Sequence, residues 1–290
     1  LSAQGTPPAQ FSVLEASIDP HSCGTCHVAQ FNDWKKSLHS QAMGPGILGQ
    51  LIDMSPEATD EHQNCLRCHA PLKEQADSLV TALARGQSAR SRPSKGGAAP
   101  VHEQGLVCAA CHMRGNQRYG PPRKDGSTLD PTAQLPHNGW ISNAAFEDSR
   151  FCAACHQFTK DEYALNGKLL ENTYEEWKAS RYAGEGKTCQ SCHMPERRHL
   201  WRGIHDPEMV RSGVTIDATP ASIQSRIVSA ALTIKNTGTG HHFPTYVTPR
   251  VVAEAYQEGA DRQMLKGTLR EYIIARQVSL DLSKEIADTR

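Results

Sequence analysis

Five copies of one pentapeptide carry the chemistry of this 290-residue chain. Cys23, Cys26 and His27 form the first Cys-x-x-Cys-His; Cys65, Cys68 and His69 the second; Cys108, Cys111 and His112 the third; Cys152, Cys155 and His156 the fourth; Cys189, Cys192 and His193 the fifth. Two thiols at this spacing can add to the two vinyl groups along one porphyrin edge while the next residue turns its imidazole onto the iron, the attachment signature of a c-type haem. The pattern predicts five covalent haems c, with His27, His69, His112, His156 and His193 as proximal ligands. Zinc knuckles are the competing reading, but they pair Cys-x-x-Cys units with each other and do not require a histidine after every second cysteine. The motifs use all ten cysteines, which leaves none for disulfides.

Nine other histidines remain, and five irons need at most five distal ligands. A second imidazole closes the iron to small molecules and favours one-electron transfer at low potential. The predicted distal ligands are His39, one turn beyond Trp34; His102, six residues before Cys108; His137, in a Pro-Asn-Gly loop; His205, after the last motif; and His241, in a Gly-His-His-Phe-Pro turn. His21, His62, His199 and His242 remain alternatives. For each, a surface or packed-turn histidine is the plain reading against which ligation is weighed. Met43, Met113 and Met194, with Trp34, Trp140, Trp177 and Trp201, read as packing around haem edges.

The elements that must hold these groups are sparse. The first cysteines fall 42, 43, 44 and 37 residues apart, a beat of one haem per forty residues or so. An apolar fraction of 38% is low for the length, and flat porphyrins can supply the missing core. The expected fold is therefore a mostly irregular and α-helical multihaem region with little regular structure, followed by a small C-terminal β-sandwich of immunoglobulin type. Residues 1–20 read as an extended N-terminal arm, 21–212 as the pentahaem cytochrome domain, and 213–290 as the sandwich, with too few strands to be complete. Residues 31–42 and 72–86 read as helical, 86–100 and 115–139 as loops, 223–235 as one long strand and 250–256 as another. Trp34-Lys-x-Ser recurs as Trp177-Lys-x-Ser, with Tyr182 in the place of His39, which suggests a duplicated haem-binding unit.

Lysine plus arginine equal aspartate plus glutamate, so the charge balance argues for no nucleic acid partner, and no stretch approaches the roughly 20 apolar residues of a membrane span. The opening Leu1-Ser-Ala-Gln, without methionine, reads as a mature chain after removal of an export signal. Together with covalent haem, this predicts a periplasmic or extracellular location.

Phe151-Cys-Ala-Ala-Cys-His-Gln-Phe, Asn172-Thr-Tyr-Glu-Glu-Trp-Lys-Ala-Ser and Thr188-Cys-Gln-Ser-Cys-His-Met-Pro resemble the multihaem cytochrome c superfamily, including the tetrahaem cytochromes of ammonia oxidisers and the polymerising extracellular cytochrome nanowires. Gly240-His-His-Phe-Pro-Thr is similar to β-domains attached to such cytochromes. The resemblance matches His39 and His205 to distal positions, while Tyr182 departs from the pattern. It implies electron transfer along the haem chain to redox partner proteins or an extracellular acceptor, with head-to-tail homopolymers as an extension. The alternative function is a reductase of nitrite, hydroxylamine or a sulfur oxyanion, with one open haem and Tyr182, Tyr163 or His199 nearby; the chain lacks the Cys-x-x-Cys-Lys variant of pentahaem nitrite reductases.

Overall fold

The structure is a computed structural model describing residues 1–55, 57–84, 99–130, 132–279 and 281–290. Most of the loop expected over 86–100 thus lies outside the described residues. The chain forms two compact units that do not divide at residue 213. Unit one comprises residues 1–151 and 189–201; unit two comprises 152–188 and 202–290.

Unit one is built from short helices because the sequence keeps interrupting them. Pro20 and Pro45 stand at the first helical positions of Pro20–Gly24 and Pro45–Asp53, where a missing N–H costs nothing. Val28–Trp34 starts directly after His27 and stops at Lys35, earlier than the span over 31–42 suggests; turns then lead into a 3-10 segment, His39–Gln41. Lys73–Ala84 forms within the helix expected at 72–86, of which residues 85 and 86 lie outside the described residues. Two small apolar clusters serve as core: Met43, Leu48, Leu51, Leu66, Ala70 and Leu79 in one, and Leu72, Val107, Ala109, Ala110 and Met113 in the other. Residues 113–120 form a hairpin, which pairs in parallel with Ile141–Ser142.

The N-terminal arm is tied down. Ser2 donates to the Pro71 carbonyl and accepts from Lys73 N–H, while the Asn116 amide donates to the Gln4 carbonyl at 2.6 Å. The arm has too few apolar residues to announce this docking. Buried Gln4 and Asn116 hold it through polar groups that would be costly to leave unsatisfied.

In unit two the C-terminal strands pair two by two: Val214–Ala218 with Leu232–Asn236, Ser222–Gln224 with Ile227–Ser229, Val251–Ala255 with Arg270–Ile274, and Arg276–Val278 with Glu285–Asp288. The single strand expected over 223–235 is broken. Ser225 and Arg226 both take positive φ and reverse the chain in a two-residue hairpin turn, without the Gly or Asn that would signal it. Arg276, 1% exposed, anchors this region: it pairs with Glu285 and donates to the carbonyls of Leu165, Lys168 and Leu169 in the hairpin that follows the fourth motif. No helix among the described residues is long and apolar enough to cross a membrane.

Candidate haem-binding site

Each motif contains a helical turn. Cys108–His112 and Cys189–His193 are whole short helices, the second and fourth motifs close Thr59–His69 and Arg150–His156, and Cys23 lies in Pro20–Gly24 with His27 N–H bonded to the Cys23 carbonyl at 2.8 Å. The local logic is simple. Positions i, i+3 and i+4 share one face of a helix, so both sulfurs and the imidazole emerge on the same side. The first and third motifs also abut, and the neighbouring Cys23, with burial, pushes the Cys108 thiol well above its ordinary range.

The distal candidates are placed by long-range contacts. In unit one, His137 lies opposite His27, ring centroids 6.5 Å apart and planes 29° apart; His199 lies opposite His112 at 6.1 Å and 30°. Two imidazoles bound on opposite sides of one metal, with metal–nitrogen bonds of about 2 Å, stand about 6.3 Å apart between centroids. Both pairs have that spacing. The hydrogen bonds also select the ligating tautomer. Nδ1 faces a main-chain carbonyl in His69 (Ala42, 2.7 Å), His112 (Tyr119, 2.8 Å), His137 (Gly139, 2.9 Å) and His199 (Arg197, 3.1 Å). A carbonyl only accepts, so the proton sits on Nδ1 and Nε2 keeps its lone pair for a metal. Burial pushes the His112 pKa down to about 4 and that of His199 down as well, which keeps both imidazoles neutral.

His199 owes its place to an acid 166 residues earlier in the chain. Asp33 takes both ends of the Arg198 guanidinium at 2.7 Å and accepts His199 N–H at 3.1 Å. The Arg198 guanidinium holds the Asp33 carboxyl below the usual carboxylate range. Sequence reasoning did not single out Asp33 or Arg198, and left His199 among the alternatives. An acid beside Trp34 in an otherwise amphipathic turn is the one available signal. Trp201 meets His199 and His39 edge-on, at 5.2 and 4.6 Å.

The remaining histidines are placed as follows. His102 is 3% exposed, with Nδ1 2.8 Å from the Ser78 hydroxyl. His205 lies exposed in a turn of unit two, and His241 Nδ1 faces the His242 carbonyl at 2.9 Å. His62 presents Nε2 to the Leu51 carbonyl, and His21 pairs with Asp19. Among the described residues no group of three or more His, Cys, Asp or Glu side chains converges as a metal cage. What is present is paired imidazoles beside Cys-x-x-Cys turns, a donor set that fits haem iron.

The internal repeat is visible atom by atom. Ser37 Oγ donates to the Trp34 carbonyl and Ser180 Oγ to the Trp177 carbonyl. The Trp34 indole donates to Leu106 O, and the Trp177 indole to Lys187 O, each acceptor two residues before a motif's first cysteine. Leu106 N–H returns to His39 O and Lys187 N–H to Tyr182 O, each just after a positive-φ glycine, Gly105 or Gly186. The two units thus build the same clasp, with His39 in one and Tyr182 in the other.

Residues 22–112, the stretch holding the first three motifs, match the family described as cytochrome c554 and c-prime. No curated protein and no solved structure matches the chain. The match supports a multihaem c-type cytochrome family and, with it, covalently bound haem c and haem-based electron transfer.

Proposed function

We propose that this chain carries five haems c and passes electrons along them as a periplasmic or extracellular conduit, most of the irons being held by two histidines. The observation that carries the reading is two pairs of imidazoles, His27 with His137 and His112 with His199, whose centroids lie 6.5 and 6.1 Å apart, about the separation of two imidazoles on one iron. When bound, haem c supplies a one-electron couple; the chain's residues supply attachment, axial nitrogen and exclusion of water. Cys23 and Cys26 through Cys189 and Cys192 would hold the porphyrins, and each of the five motif histidines would ligate an iron. His137 and His199 would supply a second imidazole for the first and third. His39, His102, His205 and His241 are the candidates for the rest.

The haem count is tested by intact mass and pyridine haemochrome, which should return five haems per chain that survive acid acetone. Ferrous carbon monoxide binding tests axial closure: His137→Ala and His199→Ala should each create one gas-reactive haem absent from the wild type. A wild-type protein in which most haems bind the gas would overturn the bis-histidine reading. One observation favours a second reading, a reductase with an open haem: Tyr182 occupies the clasp position of His39, and its hydroxyl is committed to the Thr237 carbonyl at 3.2 Å. One reactive haem in the wild type, with turnover of nitrite or hydroxylamine, would favour that reading. Head-to-tail polymerisation belongs to the same proposal, and electron microscopy of native material that shows only monodisperse particles would remove it.

A further inference from the structure

The motif histidines differ in what their second nitrogen leans on. His69 and His112 face neutral main-chain carbonyls, those of Ala42 and Tyr119. His156, in unit two, faces a carboxylate: Glu171 Oε1 lies 3.7 Å from its Nδ1. That is longer than a hydrogen bond and well within range of charge on an imidazole dipole. The side chains of His156 and Glu171 are 47% and 14% exposed, so water screens the pair mainly from the imidazole side.

Its position is fixed by a chain of polar contacts. Thr173 Oγ1 donates to Glu171 Oε1 at 2.6 Å and meets Thr245 Oγ1 at 2.9 Å; Thr245 in turn donates to Glu176 Oε2 at 2.7 Å. Glu176 takes the backbone N–H and ring nitrogen of His242, both at 2.9 Å. On another side stands Tyr246, whose phenol is pushed up by burial and by the Glu171 charge. The carboxylate is therefore held near the imidazole through Thr173, which packs against Thr245.

We propose that Glu171 sets the haem on His156 at a lower reduction potential than the haems on His69 and His112. This deepens the electron-transfer reading and rests on His156 holding a haem. A negative charge beside Nδ1–H raises the basicity of the imidazole, and a more basic axial nitrogen stabilises ferric over ferrous iron. Reduction of a haem held there would add one electron with no bond formed or broken. Relative to the haems on His69 and His112, the fourth haem would then give up its electron more readily and fill later.

The test is spectroelectrochemical titration of holoprotein with its haem count verified, wild type against Glu171→Gln, which keeps the shape and removes the charge. One of the one-electron components should move upward by about a tenfold change in oxidised-to-reduced ratio at fixed potential, about 59 mV for one electron. The others should stay. An unmoved titration overturns the proposal, and so does a shift of every component, which would report a change of fold. Glu258→Gln, an exposed carboxylate of unit two outside this chain of contacts, should leave the titration unchanged. If Glu171→Gln fails to fold, Glu171→Asp should give a smaller rise in the same component, and no rise would refute the idea. A wild-type protein with no haem on the fourth motif would instead sink the underlying reading of His156.

Discussion

Asp33→Asn is expected to release His199 from its place opposite His112 while leaving the proximal side intact. Asp33 is 9% exposed, but Arg198 is 55% exposed and can turn to water when its partner loses charge. The loss is therefore smaller than the roughly 3–5 kcal/mol of a fully buried pair. Charge-assisted hydrogen bonds contribute about 1.5–3 kcal/mol, and discounting for the exposed end gives about 2 kcal/mol. That corresponds to roughly a 30-fold larger open population of the 198–199 segment. In ferrous carbon monoxide difference spectra and low-temperature electron paramagnetic resonance of the holoprotein, one haem should gain gas reactivity and high-spin character. A variant that stays wholly low-spin and gas-inert would refute the reasoning. The same contact sets a pH dependence. Asp33's carboxyl is depressed in the fold, so its contribution is fully present above the unfolded value of about 3.9 and is lost as pH falls through the lower folded value. Acid should thus open the third haem below about pH 4, and Asp33→Asn should abolish that step.

Two further substitutions separate sterics from backbone preference and probe the second unit. Gly105 and Gly186 both have positive φ, but a Cβ at Gly105 would meet the His39 carbonyl at 2.5 Å, whereas one at Gly186 meets nothing within 4 Å. Gly186→Ala should cost about 1–2 kcal/mol and Gly105→Ala distinctly more, read as the difference in thermal midpoint; equal losses would mean that the clasp at His39 is not tight. Arg276→Ala, which strands Glu285 and three hairpin carbonyls, should destabilise unit two by about 3–5 kcal/mol in denaturant unfolding, and a loss under 1 kcal/mol would contradict the buried clamp.

The helical turn of each Cys-x-x-Cys-His was legible because it is local. Cys-x-x-Cys-His closes within one helical turn, so no distant residue is needed to bring Cys108, Cys111 and His112 to one face. The duplicated Trp-Lys-x-Ser was legible for the same reason, and its clasp then appeared twice with matching bonds. Secondary structure was legible where periodicity ran unbroken, as in Lys73–Ala84, and misread where a turn lacked its usual residues, as at Ser225 and Arg226.

The residue types and spacings by themselves determined that sulfur pairs and imidazoles recur five times, because that chemistry is written over five consecutive residues. Tertiary structure alone decided that His137 meets His27, that His199 rather than one of the predicted ligands meets His112, and that Glu171 stands beside His156. These partners come from segments separated by up to 110 residues: the Glu15 carboxylate accepts from His137 N–H, the Asp33–Arg198 pair places His199, and Thr173 holds Glu171. Pairings of that kind depend on side-chain packing and charge across the folded chain, which no local pattern encodes.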